Sequence, residues 1–357
     1  MKKLNEVLKK EGKAYLGVIV VRVFASGLIV IAKVALNHGM SPQVYSLYRY
    51  FVASIVVAPF SFLSYRKRQR PHMSWCTFAK ILLLGSVESV VITNTYFTGL
   101  KYVTPTFSIA MSNAVPALSF FFASLFRMEK IDVIRFSSQA KILGTAVSVG
   151  GAMIMTFVEG PKLRFPWTNG HNNLHCYPST SSINVNNEDS FKGIILVTIS
   201  CLCASVSCIL QAIVLKSYPM GLIVTFMVCI VGVVEGAVVA LAMEWNNPSV
   251  WSIHFDFQLL AILYAGIIIS GFSYYIQGVV MEEKGPVFLT AFFPLTTVMV
   301  AIISSFAISE ILSLGKVVGA MVIIAGLYLF LWGKTKDQVI DNAVRPMDDA
   351  ATTTEDS

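Results

Sequence analysis

The residues in this sequence best able to do chemistry are the charges that interrupt long apolar runs: Arg22, Lys33, Arg49, Glu88 and Glu235. Placing such a charge at the centre of a hydrocarbon layer costs roughly 2.5–3.5 kcal/mol, so each needs a partner or a task. Glu88 stands deep in its run, and Thr95 and Tyr96 follow on a nearby helical face. A carboxyl there can pair with a solute ammonium or carry a coupling proton; the plainer reading is an ion pair or interhelical hydrogen bond. Glu235 falls within Gly232-x-x-x-Gly236, a spacing that favours close helix packing, and a structural role is expected. Arg22 and Lys33 are read as snorkelling toward the membrane interface. Arg49, roughly 10 Å deep at about 1.5 Å per residue, is expected to face inward. There it can steer a carboxylate or pair with Glu88 or Glu235.

Two prolines point more sharply. Pro116 and Pro294 each remove a backbone donor in mid-run. Helices interrupted at corresponding places in two halves are the best sequence sign of a solute site within a membrane, although kinks can also serve packing alone. Ser108, Ser112, Pro116, Ser119 and Ala123 form a small, polar stripe, and Thr290, Pro294, Thr297 and Ala301 form its counterpart. Asn113, next to Ser112, can both donate and accept. Tyr274, Gln277 and Gly278 share a helical face that suits a zwitterion without fixed charge; the alternative for Tyr274 is a place in an interfacial aromatic belt.

Other chemistries find little support. There is no Gly-x-x-x-x-Gly-Lys-Ser/Thr phosphate cradle, no His-Glu-x-x-His and no Gly-x-Ser-x-Gly. His171, His175 and Cys176 are too few for a zinc site, and no metal or cofactor is expected. Cys201, Cys203, Cys208 and Cys229 lie in apolar segments and read as small packing residues. An intramembrane enzyme would need an acid–base or nucleophile–base pair, and no apolar run contains a central histidine.

The elements that hold these residues follow from composition. The chain has 357 residues, 55% apolar and 13% charged, with mean hydropathy +0.69. That is about half the charge of a soluble domain, too little to cover a water-facing surface. Continuous apolar runs long enough to span a bilayer fall near 14–36, 42–63, 78–98, 104–126, 140–158, 192–215, 221–243, 257–280, 286–308 and 315–332. With the N-terminus placed in the cytoplasm, seventeen lysines and arginines lie inside and only Lys101, Lys162 and Arg164 outside. The bias puts both termini in the cytoplasm. It also explains the net charge of +7 without nucleic acid. The first run is long enough to span, so no cleavable leader is expected.

Landmarks recur between the halves. Lys141-Ile-Leu-Gly144 matches Lys316-Val-Val-Gly319, with Gly151 and Gly326 ten residues after each lysine. Thr104-Pro105-Thr106-Phe107 matches Gly285-Pro286-Val287-Phe288, and Ala25-Ser26 matches Ala204-Ser205. Five helices are an odd number, so a repeated quintet enters the membrane in the opposite sense. Inverted repeats permit two packings of one bundle, open to either side in turn, a symmetry that a receptor or scaffold does not need.

These stretches carry a resemblance. Ala32-Lys33-Val34-Ala35-Leu36, Tyr96-Phe97-Thr98-Gly99-Leu100-Lys101, Ala110-Met111-Ser112-Asn113-Ala114-Val115-Pro116, Tyr274-Tyr275-Ile276-Gln277-Gly278 and Leu331-Trp332-Gly333-Lys334 resemble the plant drug/metabolite transporters with EamA-type repeats. That group includes the nodulin-like, walls-are-thin-related and "usually multiple acids move in and out" transporters. The resemblance implies carriage of small organic solutes, most often amino acids, with auxin as an exception. It also marks departures: the family often has glutamine at Arg22 and asparagine at Phe293, so both positions are candidates for the pathway.

The expectation is an all-α integral membrane protein of ten transmembrane helices in two inverted five-helix repeats, 14–158 and 192–332. An outer loop at 159–191 joins them, and a short N-terminus (1–13) and a disordered tail (333–357) lie in the cytoplasm. The candidate pathway residues are Arg49, Glu88, Tyr96, Ser112, Asn113, Pro116, Tyr274, Gln277, Phe293, Pro294 and Thr297. The expected partners are an amino acid or organic acid, protons and the lipid bilayer, with a homodimer through Gly315-x-x-x-Gly319 as an alternative to packing within the bundle. The plasma membrane is the expected location and the vacuolar membrane the alternative.

Overall fold

A computed structural model of the chain describes residues 2–67, 73–103, 105–126, 136–158, 161–163, 187–245, 248–251, 257–307 and 312–355. Among these, eight helices are long and apolar enough to cross a membrane, from Gly12–Leu36 near the N-terminus to Leu314–Lys336. The fourth expected span is split into α5 (Pro105–Ser112) and α6 (Val115–Leu125), and the fifth is α7 (Phe136–Phe157). Large apolar side chains such as Phe51, Ile55, Val234 and Val238 are exposed on the perimeter. That suits a surface solvated by lipid.

The first span lies in α1 (Lys2–Asn37) and the second in α2 (Pro42–Lys67). The third combines α3 (Trp75–Ser86), a π-helical segment Val87–Thr93 and α4 (Asn94–Tyr102). In the second half, α8 (Asn187–Ser217) and α9 (Gly221–Glu244) are followed by α10 (Phe257–Leu263), a π-helical segment Tyr264–Ser273 and α11 (Tyr274–Lys284). The ninth expected span is α12 (Pro286–Ala291) and α13 (Phe293–Ala307), and the last lies in α14 (Leu314–Glu355). Thus a π segment recurs in the third and eighth spans, and an interruption recurs in the fourth and ninth.

Packing between the halves has the same symmetry. The first span packs on the eighth as the sixth packs on the third; the first touches the ninth as the sixth touches the fourth. The second and seventh pair with each other, and so do the fifth and tenth. These last contacts depend on glycine. A Cβ at Gly144 would come within 2.5 Å of the Phe330 nitrogen, and one at Gly326 equally close to the Ser148 nitrogen. Gly319 meets Met155 on the same seam, so α7 occupies the Gly315-x-x-x-Gly319 face within the bundle. A two-residue antiparallel ladder, Lys162–Leu163 with Leu312–Ser313, closes one end of this pair. The tail beyond Lys336 and the loop carrying His171, His175 and Cys176 lie outside the residues whose side chains are described, and so do the expectations made for them.

Candidate functional site

The interruptions in the fourth and ninth spans adjoin one cavity of about 200 Å³. Arg22 and Ala25 of α1, Ile92 and Tyr96 of the third span, Ser200, Cys201 and Ala204 of α8, and Phe293 and Thr296 of α13 line it with Ser112, Asn113 and Val115. Pro116 lies at the start of α6, just past the turn at Asn113–Ala114, and cannot donate to the preceding helix. Pro294 does the same at the start of α13, after α12 ends at Ala291. Of the residues singled out from the sequence, Tyr96, Ser112, Asn113 and Phe293 line the cavity, while Pro116, Pro294 and Thr297 shape its wall. Thr297 donates to Asn113 Oδ1 at 3.1 Å. The Ser112 hydroxyl donates to the Ser108 carbonyl at 2.9 Å.

Arg22 is the most unusual member of the lining. Two expectations were open for it, a head snorkelling to the interface and a place on the pathway; it is only 3% exposed and lines the cavity. Counted within Gly12–Leu36, it lies about 15 Å along the helix, too near mid-span for its head to reach either interface. Its guanidinium carbon sits 4.1 Å from the centre of the Phe293 ring. Nε and Nη2 are buried without a hydrogen-bond partner. A cation–π contact contributes about 0.5–2 kcal/mol, less than the roughly 2.5–3.5 kcal/mol an arginine costs at mid-membrane. Asn113 Nδ2 and Thr296 Oγ1 are likewise buried and unpartnered. No aspartate or glutamate is among the described lining residues. A signal for the α8 wall was present in Ser200, Ala204, Ser207 and Gln211, small or polar residues on one helical face.

Of the remaining expected residues, Glu88, Arg49 and Tyr274 form a second polar cluster outside this lining. Glu88, in the first π segment, accepts from Ser207 of α8 through Oε2 at 2.7 Å. Its carbonyl, in the altered ladder of that segment, accepts from Thr93 Oγ1 at 2.7 Å and from the Tyr50 hydroxyl at 3.3 Å. Arg49 Nε donates to Ser270 of the second π segment at 2.5 Å. Tyr274 is buried with its hydroxyl unpartnered and interacts electrostatically with Glu88 and Tyr50. Gln277 is half-buried on α11 and does not line the cavity. Glu235 accepts from Ser86 at 2.6 Å and Ser89 at 3.2 Å, the interhelical tie expected of it. Lys33 caps the end of α4, its Nζ donating to the Leu100 carbonyl at 2.6 Å.

Spanning helices, broken in register in two halves around a largely apolar cavity with a few polar groups, are the architecture of a membrane transporter. Comparison with known proteins agrees. The EamA-like transporter family matches residues 12–157 and again 191–332, and the chain belongs to that family. It is 48% identical over 329 residues to the WAT1-related protein At2g39510 of Arabidopsis thaliana, covering 92% of this chain and 87% of that one. With the WAT1-related protein At2g37460 of the same plant it shares 42% over 355 residues, 98% and 91% of the two chains. One crystal structure, at 15% identity, superposes with a TM-score of 0.63 over 89% of this chain and 96% of the other, a likeness of fold.

Proposed function

We infer that the protein is a secondary carrier of small organic solutes, amino acids or organic acids, working by alternating access. In this reading ten spans form two oppositely inserted quintets with both termini in the cytoplasm, and the plasma or vacuolar membrane holds them. The observation that carries it is the cavity itself, set where the broken fourth and ninth spans meet α1 and α8. The symmetric pairing of the halves supports the reading, because related halves can exchange one packing for a second that opens to the other side. Glu88, held by one hydroxyl beside Tyr50 and Tyr274, is the proton carrier if transport is coupled to a pH gradient.

Amino acids are the substrates that the family resemblance implies. An amphipathic carboxylate such as auxin is the second reading, favoured by the apolar lining, by Phe293 and by the lack of an acidic lining residue to meet an ammonium. Radiolabelled uptake and efflux in oocytes, across amino acids and indole-3-acetic acid, separates the two. Movement of none of them by protein present at the surface counts against a carrier.

A further inference from the structure

We propose that Arg22 is the anion-binding and specificity-determining residue of the cavity, seating the carboxylate of a small apolar acid against Phe293 and Asn113. Three observations converge. The guanidinium is fixed over the Phe293 ring at 4.1 Å, which leaves its edge free to donate. Nε and Nη2 are buried and unpartnered, and form one side of the planar fork that matches a carboxylate bidentately. Asn113 Oδ1 is engaged by Thr297, which directs the unpartnered Nδ2 of the same amide to act as a further donor. These unsatisfied donors all belong to the first half, and the unpartnered Thr296 Oγ1 lines the same cavity from the second.

The lining also defines what is excluded. It offers no carboxylate to an ammonium group, so a zwitterion brings a charge with no partner into a site that already holds a cation. A neutral amide of the same shape leaves the arginine charge uncompensated. At about 30 Å³ per water, the cavity holds the equivalent of about seven waters, which suits a single-ring acid. This inference deepens the carrier reading, but binding at Arg22 can be measured without any transport.

The test uses the full chain in lipid nanodiscs and three probes of one shape: 3-phenylpropionate, its neutral amide 3-phenylpropionamide, and phenylalanine. Calorimetry is expected to show at least about tenfold tighter binding of the acid than of either analogue. Arg22→Gln should abolish that preference and Arg22→Lys retain part of it. Ala204→Leu, which fills the cavity without touching the charge, should weaken the acid as well. Removing an unpaired buried charge should not prevent folding, which size-exclusion elution of Arg22→Gln checks. If that variant fails to fold, Arg22→Lys and Ala204→Leu decide, and unchanged acid binding in both overturns the proposal. Equal binding of acid and amide by the wild type, or an unchanged preference in folded Arg22→Gln, also overturns it. Selective binding without uptake into proteoliposomes supports the Arg22 site and counts against the carrier reading instead.

Discussion

The Thr297 hydroxyl donates to Asn113 Oδ1 at 3.1 Å, joining the ninth span to the turn that divides the fourth. The two residues are 184 positions apart and belong to the two separately matched repeats. Both lie beside the interruptions, where backbone pairing is weakest, so the bond ties the halves together at the cavity wall. Interhelical hydrogen bonds in membranes average about 0.6 kcal/mol and reach about 1.7 kcal/mol.

Thr297→Val is therefore expected to lower stability by about 1 kcal/mol and to reduce uptake, because both ends of the buried Asn113 amide then lack partners. Thr297→Ser keeps the hydroxyl and should resemble the wild type in both respects. Thermal unfolding in detergent, read beside uptake, tests the pair; equal melting of the valine and serine variants excludes the bond as a stabilising link.

Glu88→Gln keeps a group able to accept from Ser207 but removes the exchangeable charge. Uptake by this variant should lose its dependence on an imposed pH gradient, while folding survives. Proteoliposome uptake with and without the gradient gives the answer. A gradient response equal to the wild type's rules out Glu88 as the proton carrier.

Adjacent glycines on α7 should respond oppositely to alanine. Nothing lies within 4 Å of a Cβ at Gly150, so Gly150→Ala gains about 0.5–1 kcal/mol of helix preference. At Gly151 the new methyl would lie 2.8 Å from the Ile323 nitrogen and 3.0 Å from the Gly319 carbonyl oxygen. Forcing α14 away costs about 1–3 kcal/mol. Comparative melting temperatures check the sign of each, and a Gly151→Ala variant as stable as the wild type would show that the α7–α14 seam is looser than its glycines indicate.

Epitope tags placed before Met1 and after Ser357 should both be reached by antibody only after the membrane is permeabilised. Labelling of one tag in intact cells contradicts ten crossings, and labelling of both reverses the orientation read from the lysines and arginines.

Eight of the ten expected span positions, the duplication and the two interruptions could be read from the residues, because apolar length and helix-breaking residues act locally. Apolar length decides whether a segment can cross lipid, and a proline breaks a helix wherever it stands. The direction in which each side chain faces could not be read in this way. A helix apolar all round carries little periodic signal, so Arg22 looked equally able to face lipid or cavity. Packing of α1 against α13 placed its guanidinium over Phe293. The π segments were equally hidden, because a shifted hydrogen-bond ladder leaves no mark in composition; one of them presents Glu88 to Ser207 instead of to the cavity. Burial and partnership are properties of neighbours distant in the chain, and only the assembled bundle specifies them.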